Sequence, residues 1–199
     1  LLLIINKMNN SKKRDSKFYK ENEKFLDFKD VLILPKMSFI NSRSLVNLER
    51  TFLFNNNMQW TGIPIMSANM TTTGTLDVYK VLSKYKILTI LHKFHSLNDL
   101  LKYNQENQEK LNPDYFGIST GISDNDYNNL VNILDNFNCN FICIDIANGY
   151  LSNFSEFCKK IRNKYTNKII IAGNVCTQEG VNMLISNNID IIKVGIGSG

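Results

Sequence analysis

The chain has 199 residues, 43% of them hydrophobic and 21% charged, with a net charge of +5. That length and balance describe one globular domain with a sizeable core, and they exclude a disordered or fibrous protein. No apolar stretch approaches the roughly 20 residues that a membrane-spanning helix needs, which excludes a membrane protein of that kind.

Most of the net charge sits in the opening segment, where residues 7–29 hold eight Lys/Arg against four Asp/Glu. Such a basic, polar lead-in reads as a solvated tail. A nucleic-acid partner would need a basic face with interleaved aromatics, and none is present. We therefore expect a basic tail over residues 1–25 and a folded unit over 26–199. The initial "LLLIIN" is too short for the apolar core of a secretory signal, so a cytoplasmic protein is expected.

After a turn-rich start, short apolar runs recur at 63–66, 87–91, 116–119, 141–146, 169–173 and 190–194. Each is continuous rather than alternating, which predicts parallel strands buried on both faces. Helical stripes lie between them. Tyr127, Leu130, Val131 and Leu134 form one, with Ser123 or Asp124 as its cap. Phe154, Phe157, Cys158, Ile161 and Tyr165 form the next, with Asn153 and Glu156 as a capping pair. Val181, Leu184 and Ile185 form a third, opened by Thr177.

Strand and helix alternating at this spacing mean right-handed βαβ units. Both an open doubly wound sheet and an eight-stranded β/α barrel satisfy that pattern. The residues just past each strand decide between them: Ser67 to Asn69, His92 and Lys93, Thr120 and Gly121, Asp145, Gly173 and Asn174, and Gly195 and Gly197. Polar or glycine residues after every strand describe a TIM (β/α)8 barrel with its loops gathered on one catalytic face. A dinucleotide-binding sheet would concentrate its signal in one glycine-rich turn after the first strand, and that turn is missing. Six of the eight barrel strands are then present, and the strands at 63 and 190 are expected to be unpaired edges.

Several residues at the strand ends carry chemistry. Lys93 places a cation directly after the second strand, where it can stabilise charge on a leaving group or help move a proton. Asp145 ends an otherwise apolar strand, where an unpaired carboxylate would be costly. It is expected to pair with Lys93, to accept hydrogen bonds from a ligand, or to cap the next loop. Arg43, in a Ser42-Arg43-Ser44 stretch, has the fork geometry that binds phosphate oxygens in pairs. His92 and His95 are expected to fill space at the barrel mouth. Cys139, Cys143, Cys158 and Cys176 lack zinc-ligand spacing and read as small, reduced core residues, none a good nucleophile.

The segments "LDFKDVLILPK", "SRS", "GIPIMSANMTTTGT", "LHKFHS", "ICIDIANGY", "IIIAGNVCT" and "DIIKVGIGSG" succeed one another between Leu26 and Gly199. In that order they resemble the GMP reductase branch of the IMP dehydrogenase/GMP reductase family. The resemblance implies NADPH-dependent reductive deamination of GMP to IMP, through a cysteine thiolate that attacks C2 of the purine.

It assigns Lys93 and Asp145 to catalysis. Ser42, Arg43, Asp145, Ile146, Ala147, Ile196 and Gly197 go to the cofactor site, and main-chain carbonyls of Gly197 and Gly199 to a potassium ion. It also implies a homotetramer. The nucleophilic cysteine is expected three residues beyond Gly199, so the 199-residue chain alone is expected to be an inactive, incomplete copy.

Three positions depart from the reductase pattern. Thr71 stands where an Asp is usual, Phe94 replaces a common His, and Ser198 stands where Pro is usual. An IMP dehydrogenase without its regulatory domains and a non-catalytic remnant are the alternative readings.

Overall fold

The structure, a computed structural model, describes residues 30–196. The expected tail over 1–25 lies outside them, as do Gly197, Ser198 and Gly199. The strands are β1 (Arg50–Leu53), β2 (Gln59–Ser67), β3 (Ile87–Leu91), β4 (Phe116–Thr120), β5 (Phe141–Asp145), β6 (Ile169–Val175) and β7 (Ile191–Val194). Five helices alternate with the later strands: α1 (Leu76–Leu82), α2 (Leu97–Glu106), α3 (Asp124–Asn136), α4 (Ser152–Lys164) and α5 (Gln178–Ser186).

All six expected runs are strands, and β2 to β7 lie side by side in chain order, each parallel to the next. That order never reverses. A doubly wound sheet must reverse at its switch point, whereas a barrel adds each strand on the same side. The fold is the β/α-barrel type, open between β2 and β7 among the described residues.

Strand burial explains the continuous apolar runs. Along β5, Phe141 and Cys143 pack into an interior cluster with Leu88, Ile90, Ile169, Ile171 and Ile191. The alternate residues Ile142 and Ile144 face the helices, together with Phe116, Ile118, Ile170, Ile192, Leu130, Ile133, Phe154 and Ile161. Both faces of the sheet are dry, so alternation vanishes from the sequence. A side chain two residues past an interior one points back into the barrel.

β1 was not anticipated from the sequence. It pairs antiparallel with the first half of β2, from Arg50 opposite Gly62 to Leu53 opposite Gln59. The turn between them passes through Asn57 at φ 62°, a conformation that Asn tolerates better than most residues. This hairpin plugs the amino-terminal end of the barrel: Trp60 stacks on Phe52, meets Phe141 edge-on, and donates its indole N–H to the Asp114 carbonyl at 2.7 Å.

The expected caps of α3 and α5 are present, as Ser123 accepts from the Asp126 N–H and Thr177 from the Gly180 N–H. The α4 cap is a correction. That helix starts at Ser152 after Leu151, which makes no side-chain cap bond, and Asn153 and Glu156 lie inside it. The Leu151 carbonyl accepts from the Phe154 and Ser155 N–H groups at 3.1 and 3.4 Å, so the first turn closes ahead of Asn153.

Candidate active site at the carboxyl ends of the strands

β5 alternates inward at Phe141, Cys143 and Asp145, so its last residue is both interior and at the mouth. β7 does the same with Ile191 and Lys193. The register sets Asp145 opposite Gly173 and Gly173 opposite Lys193, one row across three neighbouring strands. Because the middle residue has no side chain, Lys193 can lie across β6. A Cβ at Gly173 would stand 2.6 Å from the Lys193 Cβ.

The Lys193 ammonium donates to Asp145 Oδ1 at 2.6 Å and to Asn69 Oδ1 at 3.0 Å. Asn69 Nδ2 in turn donates to Asp145 Oδ2 at 2.6 Å. Each member of this triad bonds both others. Both carboxylate oxygens are therefore fixed, yet the Asp145 side chain stays 29% exposed and each oxygen keeps acceptor capacity for a ligand.

Lys93 does not pair with Asp145. It follows β3 in a turn and lies 3.2 Å from Asp126 on the first turn of α3. Burial acts to raise the Asp126 carboxyl, but the Ser123 hydroxyl and the Lys93 ammonium outweigh it and hold the group below its ordinary range. Asn129 of α3 donates to the His95 carbonyl at 3.0 Å, which holds the same loop. The expected Lys93–Asp145 pair fails because the turn directs Lys93 sideways, toward a helix start that already favours an acidic residue.

His92 and His95 stack with centroids 4.0 Å apart, beneath the Gly74 loop. Their Nδ1 and Nε2 atoms, respectively, are buried without a hydrogen-bond partner. Burial first, and then the His92 ring, hold His95 below the usual imidazole value.

The loop after β5 is zipped to the end of β6. The Ile146 N–H donates to the Gly173 carbonyl, and the Asn174 N–H donates back to the Ile146 carbonyl, both at 2.9 Å. Ala147 is exposed beyond it, and Ile196 is exposed after β7. Ser42 and Arg43 lie in an exposed 3-10 turn over Arg43–Leu45, where the Ser42 hydroxyl accepts from the Ser44 N–H. No hydrogen bond or ion pair among the described residues joins that turn to the triad.

The cysteines divide as burial dictates. Burial pushes the thiols of Cys139, Cys143 and Cys158 up to about 11, 12 and 12. Cys176 is exposed, and its sulfur accepts from the Tyr150 hydroxyl at 3.6 Å.

An apolar groove lined by Phe54, Trp60, Ile65, Leu88 and Ile191 opens inside the sheet, below this mouth. Its lining holds no titratable side chain; the charged side chains lie at the mouth. Two buried oxygens there lack partners, Ser67 Oγ at the end of β2 and Asn174 Oδ1 on β6. Orphaned acceptors and donors at one rim suit a ligand with many polar atoms.

Sequence reasoning missed Asn69 and Lys193. The signal for Lys193 was a cation inside the apolar run "IIKV", on the same inward phase as Asp145 in "FICID".

This architecture defines the class: a parallel β/α barrel with a charged, polar rim where its loops converge. The chain belongs to the IMP dehydrogenase / GMP reductase domain family, whose model matches residues 25–199. It is 44% identical over 181 residues to GMP reductase 2 of Bos taurus, covering 90% of this chain and 51% of that protein. It is 46% identical to GMP reductase 1 of Mus musculus, over 87% of this chain and 50% of that one. GMP reductase of Klebsiella pneumoniae shares 44% identity over 90% of this chain and 52% of its own. Among solved structures, inosine 5′-monophosphate dehydrogenase from Legionella pneumophila superposes with a TM-score of 0.71 at 27% identity, over 86% of this chain and 51% of that one. The chain thus spans about half the length of the curated relatives it matches.

Proposed function

We propose that the full protein carries out the reductive deamination of GMP to IMP and ammonia, with NADPH as reductant. The observation that carries this reading is the charged triad of Asp145, Lys193 and Asn69, in a chain 42–46% identical to proteins named GMP reductase. The connection from β3 to β4 supports the reductase over the dehydrogenase. It holds the single helix α2, capped reciprocally by Ser96 and Asp99, and no inserted domain.

In balance, GMP, NADPH and two protons give IMP, NADP⁺ and ammonium. NADPH supplies the hydride when bound; the protein supplies charge and position. Lys93 is the residue for the leaving amine, because an ammonium beside developing charge stabilises it or moves its proton. Its ion pair with Asp126 keeps it beside the mouth. Asp145, with two oxygens fixed and one side open, accepts hydrogen bonds from the dinucleotide or from the purine. In this reading Ala147 and Ile196 offer main-chain groups to the cofactor, and Ile146, bonded to β6 through both its N–H and its carbonyl, holds the loop that carries Ala147. Ser42 and Arg43 take the 2′-phosphate of NADPH, for which a guanidinium fork is suited.

Carbonyls of Gly197 and Gly199 hold a potassium ion in this reading. The working protein is a cytoplasmic homotetramer whose nucleophilic cysteine comes after the glycine loop. Residues 1–199 alone are then inactive.

The test is full-length protein assayed for GMP-dependent oxidation of NADPH. Loss of NADPH with release of ammonia is expected; IMP-dependent reduction of NAD in its place would assign the sibling activity.

A further inference from the structure

Lys193 is a second cation at this mouth, and its surroundings differ from those of Lys93. Its side chain is 19% exposed against 41% for Lys93, so it is the better shielded of the two. All its hydrogen bonds at the head end on one carboxylate and one amide, Asp145 and Asn69. The row Asp145, Gly173, Lys193 shows how that is possible, since the strand between the two charges carries a glycine at the crossing point. A Cβ there would meet the Lys193 Cβ and carbonyl oxygen, both at 2.6 Å. The arrangement needs three residue types on three strands: a carboxylate, nothing, and a long cation. Asn69, arriving from the loop after β2, ties the second carboxylate oxygen to the same cation and so spans the mouth.

We infer that Lys193 is a positioning residue that acts through Asp145, with the side-chain-free crossing at Gly173 and the amide of Asn69 completing the clamp. The inference rests on the reading of Asp145 as part of the reaction site. Lys193 turns the carboxylate so that its free lone pairs face the open side of the mouth. Without the cation, Asn69 still holds Oδ2, but Oδ1 loses its donor and the carboxylate turns about the remaining bond. Misplacement of about 1 Å at a reacting centre costs on the order of 10²-fold in rate.

The test uses the full-length protein and five variants, four single and one double. Lys193→Met, which keeps the length and removes the charge, is expected to lower kcat for GMP about 10- to 100-fold while binding of GMP changes little. Lys193→Arg keeps the cation and is expected to stay within about 5-fold of the parent. Gly173→Ala leaves both charges in place and is expected to reproduce the Lys193→Met loss by obstructing the crossing.

The decisive arm is a double-mutant cycle. If Lys193 acts through Asp145, then Lys193→Met together with Asp145→Asn is no slower than Asp145→Asn alone. A crystal structure of Lys193→Met should show the Asp145 carboxylate rotated. An unchanged carboxylate, a parental rate in Lys193→Met, or additive losses in the cycle overturns the inference while GMP turnover by the parent stands. A parent that turns over neither GMP with NADPH nor IMP with NAD overturns the functional reading, and this inference with it.

Discussion

The ammonium of Lys93 and the carboxylate of Asp126 lie 3.2 Å apart, joining the loop after β3 to the first turn of α3. Asp126 also accepts from the Ser123 hydroxyl at 2.7 Å, so it is fixed before the lysine arrives. A helix start thereby holds a mobile cation beside the barrel mouth. In the full-length protein, Lys93→Ala is expected to lower GMP turnover by about 10²–10³, the usual loss for one well-placed donor at a centre of developing charge. The melting temperature should barely move, because half-exposed ion pairs contribute little to stability. A variant that keeps more than about a third of the activity would make Lys93 an ordinary surface lysine.

At the opposite end of the barrel, Arg162 of α4 and Asp190 before β7 form a pair with side chains 11% and 2% exposed. The two members depend on each other unequally. Arg162 also donates to the carbonyls of Tyr165, Lys168 and Asn188, whereas the Asp190 carboxylate, among the described residues, accepts only from the Ile170 N–H besides the arginine. Burial already pushes the Asp190 carboxyl up. Arg162→Met therefore strands a buried carboxylate and should cost about 3–5 kcal/mol in urea denaturation. Asp190→Asn keeps the shape and leaves the guanidinium three acceptors, so about 1–2 kcal/mol is expected. Equal losses would contradict this asymmetry.

How far the sequence reaches is clear from single residues. The six apolar runs declare the parallel strands because both their faces are dry, and the polar residues after them declare a barrel. β1 was hidden: "RTFL" is short and half polar, and it is held by pairing with β2 and by Phe52 against Trp60. Lys93 and Asp145 were legible as charges at strand ends. Their partners were not, because Asp126 lies 33 residues from one and Lys193 lies 48 residues from the other. Gly173 stood out only as a residue just past its strand, yet it lies within β6 and leaves room for a side chain from the next strand. Pairings across strands depend on register, which composition and periodicity do not encode.

His95 supplies a pH dependence. Burial first, then the neighbouring His92 ring, lower its value from 6.5, while Asp99 and the Gly74 backbone pull weakly the other way. A group depressed on folding binds more protons in the unfolded chain, so stability rises with pH across the window between its folded value and 6.5. Its contribution is complete above that window and is lost as pH falls through it. Melting temperatures of the full-length protein should therefore drop as pH is lowered below about 6.5, and the His95→Phe variant should show a shallower drop. Superimposable pH profiles for parent and variant would rule His95 out as the source.

The last prediction concerns a polypeptide of residues 1–199 by itself. The hairpin of β1 pairs with β2 only from Gln59 to Gly62, ahead of the run at 63–66 that the sequence marks as an unpaired edge. From Ile63 to Ser67 one side of β2 has no strand partner among the described residues, and β7 is likewise unpaired beyond β6. Ile65 is 61% exposed there, and the apolar groove between the two edges is lined by Trp60, Leu88, Phe141 and Ile191. Unpaired strand edges flanking an apolar surface are templates for association, and Pro64 removes only one donor from them. Each large aliphatic side chain left open forgoes about 25 cal/mol for every Å² that stays wet. Several such residues together forfeit an amount comparable with the 5–15 kcal/mol that separates a typical domain from its unfolded state. Size-exclusion chromatography of the 199-residue polypeptide should therefore show aggregates or a molten species, while a chain extended through two further strands runs as a discrete, cooperatively melting assembly. A monomeric polypeptide of residues 1–199 with a sharp melt would mean that the open edges are covered in some other way, and that six parallel strands suffice for a stable fold.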